Sequence, residues 1–225
     1  MGQVIIQEMT TKEPISLIGL EAGVCWGADT SDKEKNYKRG ISCLKSQHGR
    51  TFEFPDVYLI LDGYSARVIR EWYTHIGGAP TRLQASTRYI DYESGFDYVT
   101  PPSIANDPTR KAFYDYAMKE ILHGLQALEE QGVPREDSAM LLPLGMTTKI
   151  VGKYNFRTLY DMSHQRLCTR AYWEFRQLFT DLCNALSAYS EEWAILVNLY
   201  FQPKCEYLGY CPEAKSCGRM PKKGE

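Results

Sequence analysis

The 225-residue chain is 44% apolar and 24% charged with a formal net charge of −2, the balance of a globular protein with a sizeable core. That charge excludes a global field drawing nucleic acid or an anionic membrane surface. Runs such as VYLIL (57–61) and AMLLPL (139–144) are too short to span a bilayer, and MGQVIIQEMTTKEP has no basic region feeding an apolar one, so a cytoplasmic protein is expected.

In chain order, VIIQ (4–7) and ISLIGLEAGVCW (15–26) read as short strands or buried extended segments. Ser31 is the expected cap of a helix through DKEKNYKRGISCLKSQH, with Gly49 terminating it. TFEFPDVYLILDGY (51–64) has the β-branched and aromatic content of a strand. Ser65 opens a helix in which Val68, Trp72 and His75 recur at helical spacing until Gly77-Gly78 stops it. A loop, HIGGAPTRLQASTRYIDY (75–92), and a turn-rich stretch follow. Asp107-Pro108 is a strong helix start, and the helix is expected to run to about Gln131, burying Phe113, Ala117, Ile121, Leu125 and Leu128. PREDSAMLLPL (134–144) reads as a turn into a buried segment and TTKIVG (147–152) as a strand. Residues 155–186 are mostly helical in pattern, with a last helix over 191–200. The fold class is mixed α/β (α+β).

Two segments have the residue types of an anion site. In APTRLQASTRYI, Arg82, Ser86, Thr87 and Arg88 combine guanidinium forks with short hydroxyl donors, the chemistry of a phosphate cradle. The alternative is a surface loop whose arginines pair with Asp91 and Glu93. In NFRTLYDMSHQRLCTRAYWEFR (155–176), Arg157, Arg166, Arg170 and Arg176 lie among aromatics, a mix that suits a planar anionic ligand. A continuous helix there would put Arg166, Arg170 and Trp173 on one face; the alternative is a solvated face with an Arg170–Glu174 pair.

Other chemistries find little support. There is no P-loop, no strand-associated GxGxxG and no HExxH. The four histidines are dispersed, and His123 reads as a structural residue of a buried helix. Cys25, Cys43, Cys168 and Cys183 read as small core residues. Cys205, Cys211 and Cys217 recur at six-residue steps, but zinc needs a fourth ligand and no CxxC pair is present, so free thiols and no metal site are expected. Sixteen tyrosines suit a wet-edged core, a planar ligand or subunit interfaces.

Taken together, these segments resemble the flavin-dependent thymidylate synthases, the ThyX family, over about residues 20–200. GVPREDSAMLLPL is similar to that family's glycine-x-PRE turn and LPL segment. Asn155 of NFRTL follows Pro143 by twelve residues, and Arg166 follows Asn155 by eleven, in the place of the arginine that contacts the pyrimidine. YWEFR (172–176) resembles QWEIR, HGRTFEF (48–54) resembles the segment ending PFEH, and REWYTHIGGAPTRLQASTRY resembles the RQW-x-RHR-x7-S signature. Thr74 and Ile76 replace the arginines flanking its histidine, two extra residues precede Ser86, Ala139 replaces a phosphate-contacting arginine, and Asp161 a flavin-contacting asparagine.

The resemblance implies a single domain over 1–203 with a central, mostly antiparallel sheet and helices, a cysteine-containing tail over 204–225, and a homotetramer. It implies reductive methylation of dUMP to dTMP, with FAD as cofactor and methylenetetrahydrofolate and NADPH as co-substrates. Arg166 is then the catalytic residue. Glu71, Gln84, Ser86, Thr87, Arg88 and Arg166 would hold dUMP, with Arg82 restoring charge lost at Thr74 and Ala139; Thr51, Thr74, His75, Asn155, Arg157 and Asp161 would hold FAD. A related C5 chemistry such as hydroxymethylation, or a non-catalytic nucleotide binder, are the alternatives.

Overall fold

Strand β1 (Gln3–Ile6) leads to helix α1 (Pro14–Cys25) in the computed structural model, which describes residues 2–92 and 94–224. The expected extended segment at 15–26 is thus helical. It has buried residues at Ile15, Ile18, Gly19, Ala22 and Gly23, but no local side-chain cap announces its start. The cap comes from far along the chain: Glu192 accepts bonds from the backbone N–H of Ile15 (2.6 Å) and Ser16 (3.0 Å) and from the Ser16 hydroxyl (2.5 Å). Helix α2 (Lys33–Lys45) is capped by Asp32, not Ser31, because the Ser31 hydroxyl is bonded to Asp29. It ends before the expected Gly49, and Gln47 takes the left-handed conformation (φ 54°). A Cβ on Gly19 would stand 1.8 Å from the Asn36 carbonyl oxygen and one on Gly40 2.0 Å from that of Ile15, so these glycines let α1 and α2 meet backbone to backbone.

After a 3-10 turn (Gly49–Glu53) come strand β2 (Asp56–Ser65) and helix α3 (Ala66–Trp72), where the Ser65 hydroxyl accepts from Val68 N–H as expected. The helix ends well before Gly77: the N–H and hydroxyl of Thr74 both bond the Glu71 carbonyl and turn the chain. Strand β3 (Thr81–Gln84) lies in what reads as loop. Helices α4 (Pro102–Ala105) and α5 (Pro108–Glu130) follow, the latter capped by Asp107 as the sequence implies. The face that α5 buries is Met118 and Leu125; Phe113 is 72% exposed, Ala117 is exposed, and Ile121 and Leu128 are half-buried. His123 is exposed beside Glu120, so it is no buried structural histidine.

Helix α6 (Arg135–Ser138) and a 3-10 turn (Ala139–Leu141) precede strand β4 (Thr147–Asn155). The expected buried segment here is mostly outside the core, with Met140 85% exposed and Leu141 and Leu144 also exposed. Helices α7 (Phe156–Arg166), α8 (Trp173–Tyr189), α9 (Glu191–Tyr200) and α10 (Lys204–Leu208) complete the order. The four strands form a small antiparallel sheet in the order β1-β2-β4-β3. Among the described residues no helix is long and apolar enough to cross a membrane.

The chain divides into two compact units. The first comprises Met1–Gln3, Leu61–Thr74 and Leu83–Ile150; the second comprises Val4–Ile60, His75–Arg82 and Val151–Glu225. In the first unit the buried side chains include Leu61, Val68, Ile69, Trp72, Leu125 and Met146. In the second, Phe156 is the centre of an aromatic cluster, 5.3–6.1 Å between ring centroids from Phe52, Tyr160, Trp193 and Phe201. Cys43 is buried and Cys168 and Cys183 are half-buried, whereas Cys25 is exposed rather than part of the core. Burial pushes the Cys183 thiol up to about 12.

Candidate functional site

The second unit gathers His75, Phe175 and Arg82 around Arg166, the last residue of α7. Its Nε donates to Nε2 of His75 (2.9 Å), and its guanidinium carbon lies 4.3 Å from the centroid of the Phe175 ring. His75 also meets Phe175 edge-on at 5.8 Å. Arg82, on β3, donates to the His75 carbonyl at 3.4 Å. The buried ring of Phe175 and the acceptor nitrogen of His75 together fix the guanidinium by its face and by one edge.

This geometry requires neutral His75, because a protonated imidazole has no lone pair for Arg166. Burial first, then the charges of Arg166 and Arg82, lower its pKa from the ordinary 6.5 to about 4. Between those values the unfolded chain binds the proton and the folded one does not, so stability falls as pH drops from 6.5 toward 4. Thermal unfolding of His75→Gln across that window is expected to show a shallower fall than the parent chain. Equal slopes would remove His75 as the source.

A second group lies at the start of α7. The Asn155 carboxamide oxygen caps the helix by accepting from Thr158 N–H (2.9 Å), and the Thr158 hydroxyl donates to the Gly77 carbonyl (2.8 Å). Gly78 has φ +71°, and a Cβ there would come within 2.4 Å of the Thr158 hydroxyl oxygen. The two glycines that interrupt the sequence pattern therefore seat the 75–82 segment on the capped end of α7. Arg157 pairs with Glu53 (2.7 Å) beside Gly49, and Thr51 is on the same 3-10 turn with its hydroxyl on the His48 carbonyl. Asp161 is on α7 and exposed.

The first unit holds the remaining candidates. Glu71 and Thr74 meet at the end of α3. Gln84 ends β3 with its carboxamide 3.4 Å from the Thr148 hydroxyl, and Ala85 N–H bonds the Lys149 carbonyl. The chain then turns, with Tyr89 and Ile90 N–H on the Ser86 carbonyl and Arg88 N–H on the Ser86 hydroxyl. Ser86, Thr87 and Arg88 thus share one tight turn at the end of a strand. Arg88 pairs with Glu136 (2.9 Å) and Asp91 lies 3.8 Å from Arg135; Glu93 lies outside the described residues.

The four arginines of 155–176 do not form one face. Helix α7 stops at Arg166, and the chain turns before α8. Arg170 pairs with Glu213 (3.1 Å) rather than Glu174, and Arg176 donates to the carbonyls of Thr169 (2.7 Å) and Ala171 (2.5 Å), clasping that turn. Phe175, packed on Arg166, and Thr158, bonded to the Gly77 carbonyl, are contacts that sequence spacing does not announce. The only signals for them were the arginine–aromatic mix and the residues just after Asn155.

A family model described as thymidylate synthase complementing protein matches residues 5–189. The chain belongs to that family. It is 31% identical to the flavin-dependent thymidylate synthase of Nitratidesulfovibrio vulgaris, over 94% of this chain and 92% of that one. It is 32% identical to the enzyme of the same name from Clostridium tetani, over 93% and 90% of the two chains. The fold is similar to that of the flavin-dependent thymidylate synthase ThyX from Helicobacter pylori complexed with FAD and dUMP, with a TM-score of 0.68 at 16% identity over 88% of this chain and 97% of that one.

Proposed function

We propose that this family member is a flavin-dependent thymidylate synthase, reductively methylating dUMP to dTMP with methylenetetrahydrofolate as carbon donor and NADPH as reductant. The observation that carries the reading is Arg166, held between the lone pair of His75 and the face of Phe175. A guanidinium fixed in this way can stabilise negative charge developing on a uracil ring, which makes carbon 5 nucleophilic. No thiol nucleophile is required, and Cys183, with its pKa near 12, is unsuited to be one.

The donor set fits the ligands this reading needs. The hydroxyls of Ser86 and Thr87 with the guanidinium of Arg88 suit the phosphate of dUMP, with Gln84 and Glu71 for the nucleoside and Arg82 adding charge beside His75. Thr51, Thr74, His75, Asn155, Arg157 and Asp161 are assigned to FAD: a guanidinium for its diphosphate, and hydroxyl, amide and imidazole groups for its rings and ribityl chain. When bound there, FAD would supply the chemistry for hydride and one-carbon transfer, which these side chains do not. His75 keeps Arg166 oriented through its Nε–H.

We assign residues 1–203 to the catalytic body and 204–225 to a tail, and the working form to a cytoplasmic homotetramer. The exposed Phe113, Tyr116 and Met140 are apolar surface that subunit contacts would cover. Incubation with dUMP, methylenetetrahydrofolate and NADPH is expected to give a nucleotide heavier by one methyl group in place of hydrogen. A hydroxymethyl product would redirect the assignment, and a colourless protein that cannot be loaded with FAD would sink it.

A further inference from the structure

The structure brings a fourth cysteine to the cavity that the three cysteines of the tail line. Cys205, Cys211 and Cys217 line a cavity of about 410 Å³ together with Cys168, which the turn after α7 brings to the same wall. His164, whose Nε2 is buried without a partner, lines it as well. All four cysteines are free thiols, and Cys205 and Cys211 are buried. Cys205 is close enough to Cys168 and Cys211 that charge on either opposes its ionisation.

The Arg170–Glu213 pair, a Tyr207–Gln47 hydrogen bond and the stacking of Tyr207 on His164 tie the tail to the body. Gly209, left-handed at φ +73°, ends α10 and turns the chain. Cys211 N–H then bonds the Pro221 carbonyl at 2.7 Å and pairs with Lys222, closing a loop that contains Cys217. A segment of this size has too little apolar surface to fix its own conformation, and metals or disulfides are how short segments do so. Cationic side chains border the thiols: Arg170, Lys204 and Lys215 line the cavity, and Arg219 lies near Cys205 and Cys217. They would offset the charge of a thiolate set.

We propose that Cys168, Cys205, Cys211 and Cys217 form a structural zinc site that fastens the tail to the turn following Arg166. Structural zinc is four-coordinate and favours sulfur ligands. Among the described residues no group of three such side chains already stands in ligating geometry, so binding would require these thiols to close on the ion. Each thiol gives up its proton on coordination, so binding releases protons and weakens as pH falls. The site takes no part in the reaction proposed above, and it stands or falls separately.

The test uses the full chain purified without a chelating column. Elemental analysis is expected to find one zinc ion per chain that survives dialysis, and cobalt substitution to give the absorption of a tetrahedral thiolate complex. Cys168→Ser and Cys211→Ser are expected to lose the metal, whereas Cys25→Ser and Cys183→Ser keep it. Should the first two variants not fold, cobalt titration of the metal-stripped parent chain, with the thiols counted by alkylation before and after, still decides the matter: four thiols should become protected. No bound zinc and no thiolate–cobalt absorption, disulfides among the four cysteines, or iron with inorganic sulfide in place of zinc would each overturn the proposal.

Discussion

Replacing Arg166 with alanine is expected to lower turnover by roughly 10²–10³-fold, the loss seen when one donor that stabilises transition-state charge is removed. The folded state should survive, because Arg166 is half-buried at a helix end and its neighbours His75 and Phe175 also pack on each other. FAD retention, read from the visible spectrum, should be unchanged. Arg166→Lys sharpens the test. Lysine keeps the charge but has neither a planar face for Phe175 nor an Nε–H aimed at His75, so it should rescue little. Turnover within a few-fold of the parent chain in either variant would remove Arg166 from the chemistry.

The largest loss of stability is expected at Phe156→Ala. Phe156 is fully buried, the first residue of α7, and in ring contact with Phe52, Tyr160, Trp193 and Phe201. Truncation removes its transfer free energy and leaves a cavity walled by rings that cannot collapse into it, a cost of ~3–5 kcal/mol. Its N–H also bonds the Pro55 carbonyl, which fixes the start of α7 and hence the Asn155 cap. Denaturant unfolding of the second unit's signal measures the effect; a loss below ~1 kcal/mol would mean the cluster repacks freely.

The sequence was most legible where a local rule set the structure. Asp107-Pro108 and Ser65 announce helices because each cap lies within three residues of the N–H groups it satisfies. Helix α1 was illegible because its cap is a carboxylate on α9, while its glycines and aliphatics resemble a buried strand. The stripe Phe113, Ala117, Ile121, Leu125 lies on a real helix, but periodicity alone does not say which of two adjacent stripes faces inward, and the one through Met118 and Leu125 does. Strand β3 is four residues long beside Pro80, too short to show an alternating pattern.

The site divides in the same way. Family-like spacing located Arg166 and His75, whereas Phe175 joins them only because the chain reverses after Leu167, and no spacing rule encodes that turn. The same reversal brings Cys168 to the cysteines of the tail.

The remote cap on α1 also orders events during synthesis. Ile15 and Ser16 wait for a carboxylate made 176 residues after Ser16, and neighbouring ties repeat the pattern: the Trp193 indole N–H bonds the Thr11 carbonyl and the Tyr189 hydroxyl that of Thr10. At ribosomal rates that delay is on the order of ten seconds or more. Through that interval the α1–α2 hairpin lacks its remote cap and ties, so this protein's yield in the cell should depend on translation speed as well as on final stability.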